Sequence, residues 1–387
     1  MERKLFTSES VAEGHPDKVA DQIADAVLDA ALAQNSKAHV ACEVFTTTEL
    51  VVIGGEVSGA EVDYEAIARD TLRRIGYTDA SLGIGADSCR VEVVVKPQSE
   101  DIAMGVEKGD ILDQGAGDQG IMFGFATDET EGYMPLAISI AHKLVRTATE
   151  LRKNGSFKHA RPDMKSQVTM DYSDPNHTRI DTILMSVQHN PNIDLDAFRK
   201  YIHDEIMVKV ATSFGFNDDF RYFINPTGNF VIGGPEGDTG LTGRKLIVDT
   251  YGGASRHGGG AFSGKDPSKV DRSASYYARY MAKNIVASGA AKKAEIQLSY
   301  AIGVAEPISI GLETFGTERV PHEKILEACR KVFDARPGAI ISAFSLTKPS
   351  FAYRDTCNYG CFGRPDLDLP WEELDKVEEL REFLHLK

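Results

Sequence analysis

The chain has 387 residues, 42% of them hydrophobic and 26% charged, enough for two or three domains with real cores. A net charge of −15 argues against a nucleic-acid or membrane-surface partner. No apolar run approaches the roughly eighteen residues of a membrane helix, no signal-peptide core opens the chain, and the scattered cysteines suit reduced thiols in a cytoplasmic protein.

Residues 8–18, Ser-Glu-Ser-Val-Ala-Glu-Gly-His-Pro-Asp-Lys, run straight into a predicted helix. Pro16 suits the first helical position, and Val19, Ile23, Val27 and Ala30 form one apolar stripe. His15 and Asp17 then stand at a helix N-terminus, where the dipole favours anions and disfavours a protonated imidazole. Asp17 reads equally as a helix cap or as a metal ligand.

Strands are predicted over 40–46 and 50–53, the second leading into Gly54, Gly55 and Glu56. Glu43 interrupts the first, and a carboxylate buried on a strand needs a partner or an ion. A further strand over 90–96 ends at Pro97 and Gln98. Residues 99–114 have no stable period and many turn formers, which predicts a mobile lid. Gly-Ala-Gly-Asp-Gln-Gly at 115–120 fits G-x-G-x-x-G, but no clear strand precedes it and 121–125 continues as strand. A dinucleotide fold is therefore rejected.

Helices are predicted over 135–153, 195–212, 275–288, 321–333 and 370–385, and strands over 167–172, 180–189 and 294–304. A turn covers 225–229. Helices and strands alternate in three rough rounds without a sequence repeat, which predicts an α+β protein of three similar units.

Residues 252–271, Gly-Gly-Ala-Ser-Arg-His-Gly-Gly-Gly-Ala-Phe-Ser-Gly-Lys-Asp-Pro-Ser-Lys-Val-Asp, carry the strongest chemical signal. Glycines let successive N–H groups form a nest for anionic oxygens, and Lys265, Lys269 and Asp271 follow. Between Arg244 and Arg272 lie six basic residues (Arg244, Lys245, Arg256, Lys265, Lys269, Arg272) against three acids (Asp249, Asp266, Asp271). At an effective dielectric near 20, each cation about 4 Å from a phosphate oxygen contributes about 4 kcal/mol. A magnesium–polyphosphate cradle is the expectation. Gly259, Gly264 and Lys265 also fit the phosphate-loop pattern, but Asp266 replaces its hydroxyl residue and no apolar strand precedes it. A P-loop nucleotidase or kinase is thus the alternative reading, and a non-catalytic nucleotide-binding regulatory subunit a third.

Three blocks, Glu-Gly-His-Pro-Asp-Lys at 13–18, Gly-Ala-Gly-Asp-Gln-Gly at 115–120 and Gly-Gly-Gly-Ala-Phe-Ser-Gly-Lys-Asp at 258–266, together resemble the S-adenosylmethionine synthetase family. The segment 226–245 fits it too, so the resemblance covers almost the whole chain. It implies three interlaced α/β domains with pseudo-threefold symmetry, here an N-terminal domain over 1–101, a central one over 112–231 and a C-terminal one over 233–371. Residues 99–114 correspond to the family's gating loop. The implied reaction joins methionine sulfur to C5′ of ATP, releases tripolyphosphate and hydrolyses it to phosphate and pyrophosphate.

The resemblance also implies roles. His15, Lys165, Arg244, Lys245, Lys265 and Lys269 are the catalytic set; Asp163, Phe230, Val231, Asp238 and Ala261 join in binding ATP. Glu56, Gln98, Asp118, Asp238 and Lys269 line the methionine region. Asp17 and Asp271 each hold a Mg²⁺, two per site, and Glu43 holds K⁺. Asn229 stands before Phe230, where many members carry Arg. Active sites between two subunits, and a dimer of such dimers, complete the expectation.

Overall fold

The computed structural model describes residues 3–97, 111–174 and 176–386. Its first element is a strand that the polar run Thr7-Ser8-Glu9-Ser10 concealed: β1 (Leu5–Val11). The helix α1 (Pro16–Gln34) then starts where Pro16 predicts, with His15 as its extended N-cap residue. Val19, Ile23 and Val27 are fully buried as the apolar stripe requires, and so are the polar Asp17, Lys18, Asp21 and Asp25.

β2 (His39–Thr47) and β3 (Leu50–Ser58) form an antiparallel hairpin. The helix α2 (Tyr64–Ile75) then crosses over to β4 (Arg90–Lys96), which runs parallel to β3. β5 (Gly120–Thr127) follows the glycine-rich 115–120 segment as strand, in agreement with the rejection of a dinucleotide fold. Next come α3 (Leu136–Lys153), β6 (Ala160–Asp171) and β7 (Arg179–His189).

The helix predicted over 195–212 is continuous but changes pitch. It runs as α4 (Leu195–Tyr201), a π-helical stretch (Ile202–Val208) and a final α-turn (Lys209–Ser213), with Ile202, Ile206, Met207 and Val210 all buried. β8 (Arg221–Ile224) and the two-residue β9 (Gly240–Leu241) precede α5 (Val270–Ala287), whose residues are buried almost throughout. β10 (Lys293–Tyr300) and β11 (Ser309–Glu313) complete the strands.

β10 stops short of the predicted residue 304, because Gly303 and Val304 turn aside to bond Ala116 on both its N–H and C=O. The predicted helix over 370–385 breaks into a short turn (Pro370–Glu372) and a helix (Val377–Leu384). Glu372 turns inward at the break to pair with Arg279 at 3.0 Å and Lys283 at 2.8 Å.

Three sheets result, ordered β1-β6-β7-β8, β11-β10-β5 and β4-β3-β2-β9. None is contiguous in sequence. β1 leaves the N-terminal segment to pair with β6, β9 pairs back onto β2, and β5 pairs with β10. The fold is α+β, with its three units laced together by exchanged strands. This lacing sets the start of α1 against β6 at Pro162 and brings the segment 241–243 onto α1.

Candidate active site

Gly14 explains how the start of α1 meets β6. A Cβ there would lie 2.4 Å from Pro162, so only glycine permits the approach. His15 and Asp17 are thereby set beside Asp163 and Lys165.

His15 is buried and its Nδ1 accepts the Asp17 N–H at 3.1 Å. Burial, reinforced by the Lys245 and Lys165 charges, pushes the imidazole down to about 3. The ring is neutral at physiological pH, and with Nδ1 accepting, Nε2 carries the proton. It can donate a hydrogen bond there.

Asp17 is equally buried, yet Lys245 Nζ at 2.5 Å and the Leu241 N–H at 3.0 Å hold its carboxyl below the usual range. Arg244 lies 3.8 Å from the same carboxylate and is otherwise exposed. Asp163 is buried on β6; its Oδ2 accepts the Gly234 N–H at 2.8 Å while Oδ1 is buried with no partner. Burial pushes this acid up to about 6. Lys165 and Asp238 are exposed neighbours whose charges act on it. Phe230 and Val231 flank this group: Phe230 N–H donates to His189 Nε2 at 3.0 Å, and Val231 C=O accepts from Gln188 at 3.0 Å. Gly243 abuts Ala261, so the two cationic loops touch.

A second group forms on the glycine-rich loop. That loop binds to the edge of β2: Cys42 N–H donates to Gly264 C=O at 2.8 Å, and Ala41 bridges Lys265. Gly264 has a φ of +78° and would drive a Cβ to within 2.0 Å of Cys42 O. Lys265 Nζ reaches Asp271 Oδ2 at 2.6 Å. Asp271 is in the first turn of α5, where the dipole favours its charge, rather than in the loop that the spacing alone suggests.

This geometry also removes the P-loop. No strand leads into residues 252–260, and Asp266 is a buried structural acid. It accepts the Val40 N–H at 2.7 Å and pairs with Lys269 at 2.6 Å. Burial opposes its charge, but Lys269 holds the carboxyl below its ordinary value. Asp118 is exposed beside Lys269's loop, because Gly117 N–H donates to Ser268 C=O at 3.2 Å.

Glu43 corrects an expectation. It is exposed on the open face of its sheet, opposite Gly54, which leaves no side chain to cover it; Glu56 is exposed on the same face. Gln98, and residues 99–110 of the expected lid, lie outside the described residues; residues 111–113 form a single 3₁₀ turn.

Among the described residues no hydrogen bond or ion pair joins the Asp17–Lys245 group to Lys265–Asp271. A cavity of about 810 Å³ opens by His142, Arg146, Phe214 and Arg364, and none of the predicted site residues lines it. No cluster of three or more His, Cys, Asp or Glu suited to a metal exists among the described residues. Lone carboxylates at Asp17 and Asp271 fit Mg²⁺, which is usually held by one or two carboxylates together with phosphate oxygens. Sequence reasoning missed Asp21, Asp25 and Arg272, which support both lysine loops from below. The signal for the two aspartates was an aspartate at every fourth position of α1, while Arg272 was counted only as part of the basic island.

Exchanged strands and cation-bearing loops facing lone carboxylates define a class of α+β protein suited to a polyanionic ligand. The chain matches the S-adenosylmethionine synthetase N-terminal domain over residues 3–100, the central domain over 113–230 and the C-terminal domain over 232–373. It is 59% identical over 385 residues to the S-adenosylmethionine synthase of Mycoplasma capricolum subsp. capricolum, covering 99% of this chain and 98% of that one. Similarity to the proteins of the same name from Mesoplasma florum, 58% identical, and Clostridium botulinum, 55% identical, covers 98% and 99% of this chain and the whole of each relative. The chain belongs to the S-adenosylmethionine synthetase family.

Proposed function

We propose that the chain is an ATP:L-methionine S-adenosyltransferase, a methionine adenosyltransferase that makes S-adenosylmethionine and then hydrolyses the bound tripolyphosphate to phosphate and pyrophosphate. The observation that carries this reading is the pairing of Lys245 with Asp17 and Lys265 with Asp271 beside a neutral His15. Full-length relatives named S-adenosylmethionine synthase support it.

Methionine sulfur is a neutral nucleophile and needs no general base. The S–C5′ bond forms as C5′–O breaks, and the electron pair leaves with the triphosphate. His15 Nε2–H donates to the leaving oxygen, while Lys165, Arg244, Lys245 and Lys265 take phosphate oxygens as their charge develops. Asp163 Oδ1, unpartnered in the protein, accepts a hydrogen bond from a ribose hydroxyl. Phe230 stacks on adenine, with Val231 and Ala261 also on the nucleotide; Glu56, Gln98, Asp118, Asp238 and Lys269 surround methionine. In-line positioning contributes about 7–11 kcal/mol. Asp17 and Asp271 would each hold a Mg²⁺, which would neutralise charge on the polyphosphate, and Glu43 would hold K⁺.

The two groups act together when a second copy of the chain completes each site, in a cytoplasmic dimer of dimers. Val94 and Leu241, on the sheet that carries Glu43, are exposed in the single chain, which supports this assembly. The reading is tested by following ATP with and without methionine. Methionine-dependent loss of ATP without ADP is expected; methionine-independent ADP formation contradicts it.

A further inference from the structure

Four aspartates recur at every fourth residue of α1: Asp17, Asp21, Asp25 and Asp29. At 1.5 Å rise per residue, successive carboxylates stand about 6 Å apart along one slowly rotating stripe. Each accepts backbone N–H from a distant segment. Leu241 donates to Asp17 at 3.0 Å, Gly243 to Asp21 at 2.9 Å and Gly264 to Asp25 at 2.9 Å. Tyr353 and Arg354 donate to Asp29 at 2.8 and 3.1 Å.

The two middle rungs are completely buried and charge-compensated. Lys18 donates to Asp21 at 2.9 Å and also to Asp249. Arg272 grips Asp25 through both terminal nitrogens, at 2.8 and 2.7 Å, and donates to Lys265 C=O at 2.9 Å. Buried ion pairs seldom stabilise a fold better than apolar packing would. Their placement under two glycine-containing loops points to geometry instead. Gly243 precedes Arg244 and Lys245, and Gly264 precedes Lys265.

We propose that Asp21 with Lys18, and Asp25 with Arg272, are positioning residues that fix the backbone of the two loops presenting Arg244, Lys245 and Lys265 to the polyphosphate. The inference rests on the polyphosphate site proposed above. The aspartate ladder seats both cation-bearing loops of one chain on a single rigid helix, each loop being held for the site to which that chain contributes it. Each rung serves its own loop.

Amide hydrogen exchange on the full chain, read peptide by peptide, tests this with Asp21→Ala and with the paired Asp25→Ala/Arg272→Met, which leaves no lone buried charge. Asp21→Ala is expected to speed exchange over 241–245 and to leave 263–266 as in wild type; the paired variant does the reverse. Asp21→Asn, which keeps an oxygen for Gly243, returns exchange toward wild type, and Asp21→Ser takes the place of Asp21→Ala should that variant not fold. Binding of inorganic tripolyphosphate with Mg²⁺ is expected to weaken about 10- to 100-fold in each opened variant, with the KM for methionine unchanged. Unchanged exchange in both loops, loops that open together with all of α1, or opened loops that bind tripolyphosphate at wild-type strength would each overturn the proposal. A wild-type chain that neither binds tripolyphosphate nor makes S-adenosylmethionine refutes the proposed function instead, and the exchange arm still decides the ladder.

Discussion

Lys265 and Asp271 neutralise each other at 2.6 Å with side chains about one-fifth exposed, so each can change partners when a metal–polyphosphate arrives. Lys265→Ala or Asp271→Ala is expected to lower kcat about 100- to 1000-fold, the scale of removing one group that stabilises developing charge. Melting temperature should fall by less than about 4 °C, because a partly exposed pair contributes little to stability. Near-wild-type turnover in either variant contradicts the assignment. Glu43 belongs to a different effect: Glu43→Gln should abolish activation by K⁺ while leaving the K⁺-free rate in place, and equal loss with and without K⁺ contradicts its role. These residues were legible because proline sets the start of α1 and glycines announce the loop. Asp163 was legible only through the resemblance, since its setting, with Oδ2 held by the Gly234 N–H and Oδ1 left unpartnered, depends on a segment far along the chain.

At the scale of elements, α1 was readable from its apolar stripe, but its polar stripe was not. Spacing of four shows that Asp17, Asp21, Asp25 and Asp29 share a side of the helix, and it cannot say which loops come to them. β1 was missed because its middle, Thr7-Ser8-Glu9-Ser10, is polar on both faces and shows no apolar–polar alternation. Burial raises Asp29 from 3.8 to about 6, although the Arg354 and Tyr353 N–H groups oppose the shift. The folded chain therefore binds this proton more tightly than the unfolded one. The contribution is complete below pH 3.8 and is lost as pH rises through about 6. Wild type should accordingly lose its stability margin over Asp29→Asn between pH 4 and about 6.5, read as the difference of their melting temperatures. Parallel curves for the two proteins would contradict this.

Across the whole molecule, the alternation of helices and strands predicts three α+β units, and three sheets are present. The strand exchange among them was not readable, because pairings such as β1 with β6 join residues more than 150 positions apart. If a second copy completes each site, two inactive variants should repair each other. A mixture of His15→Ala and Asp271→Ala chains, unfolded and reassembled together, is expected to recover about a quarter of wild-type activity, since half the dimers are mixed and half of their sites are intact. Absence of recovery places both groups in one subunit's site. The most direct test of the central claim is one incubation with ATP, methionine, Mg²⁺ and K⁺, with products resolved by mass spectrometry and phosphate assay. The account predicts S-adenosylmethionine, phosphate and pyrophosphate in equal amounts. ADP with phosphate, formed whether or not methionine is present, would contradict it.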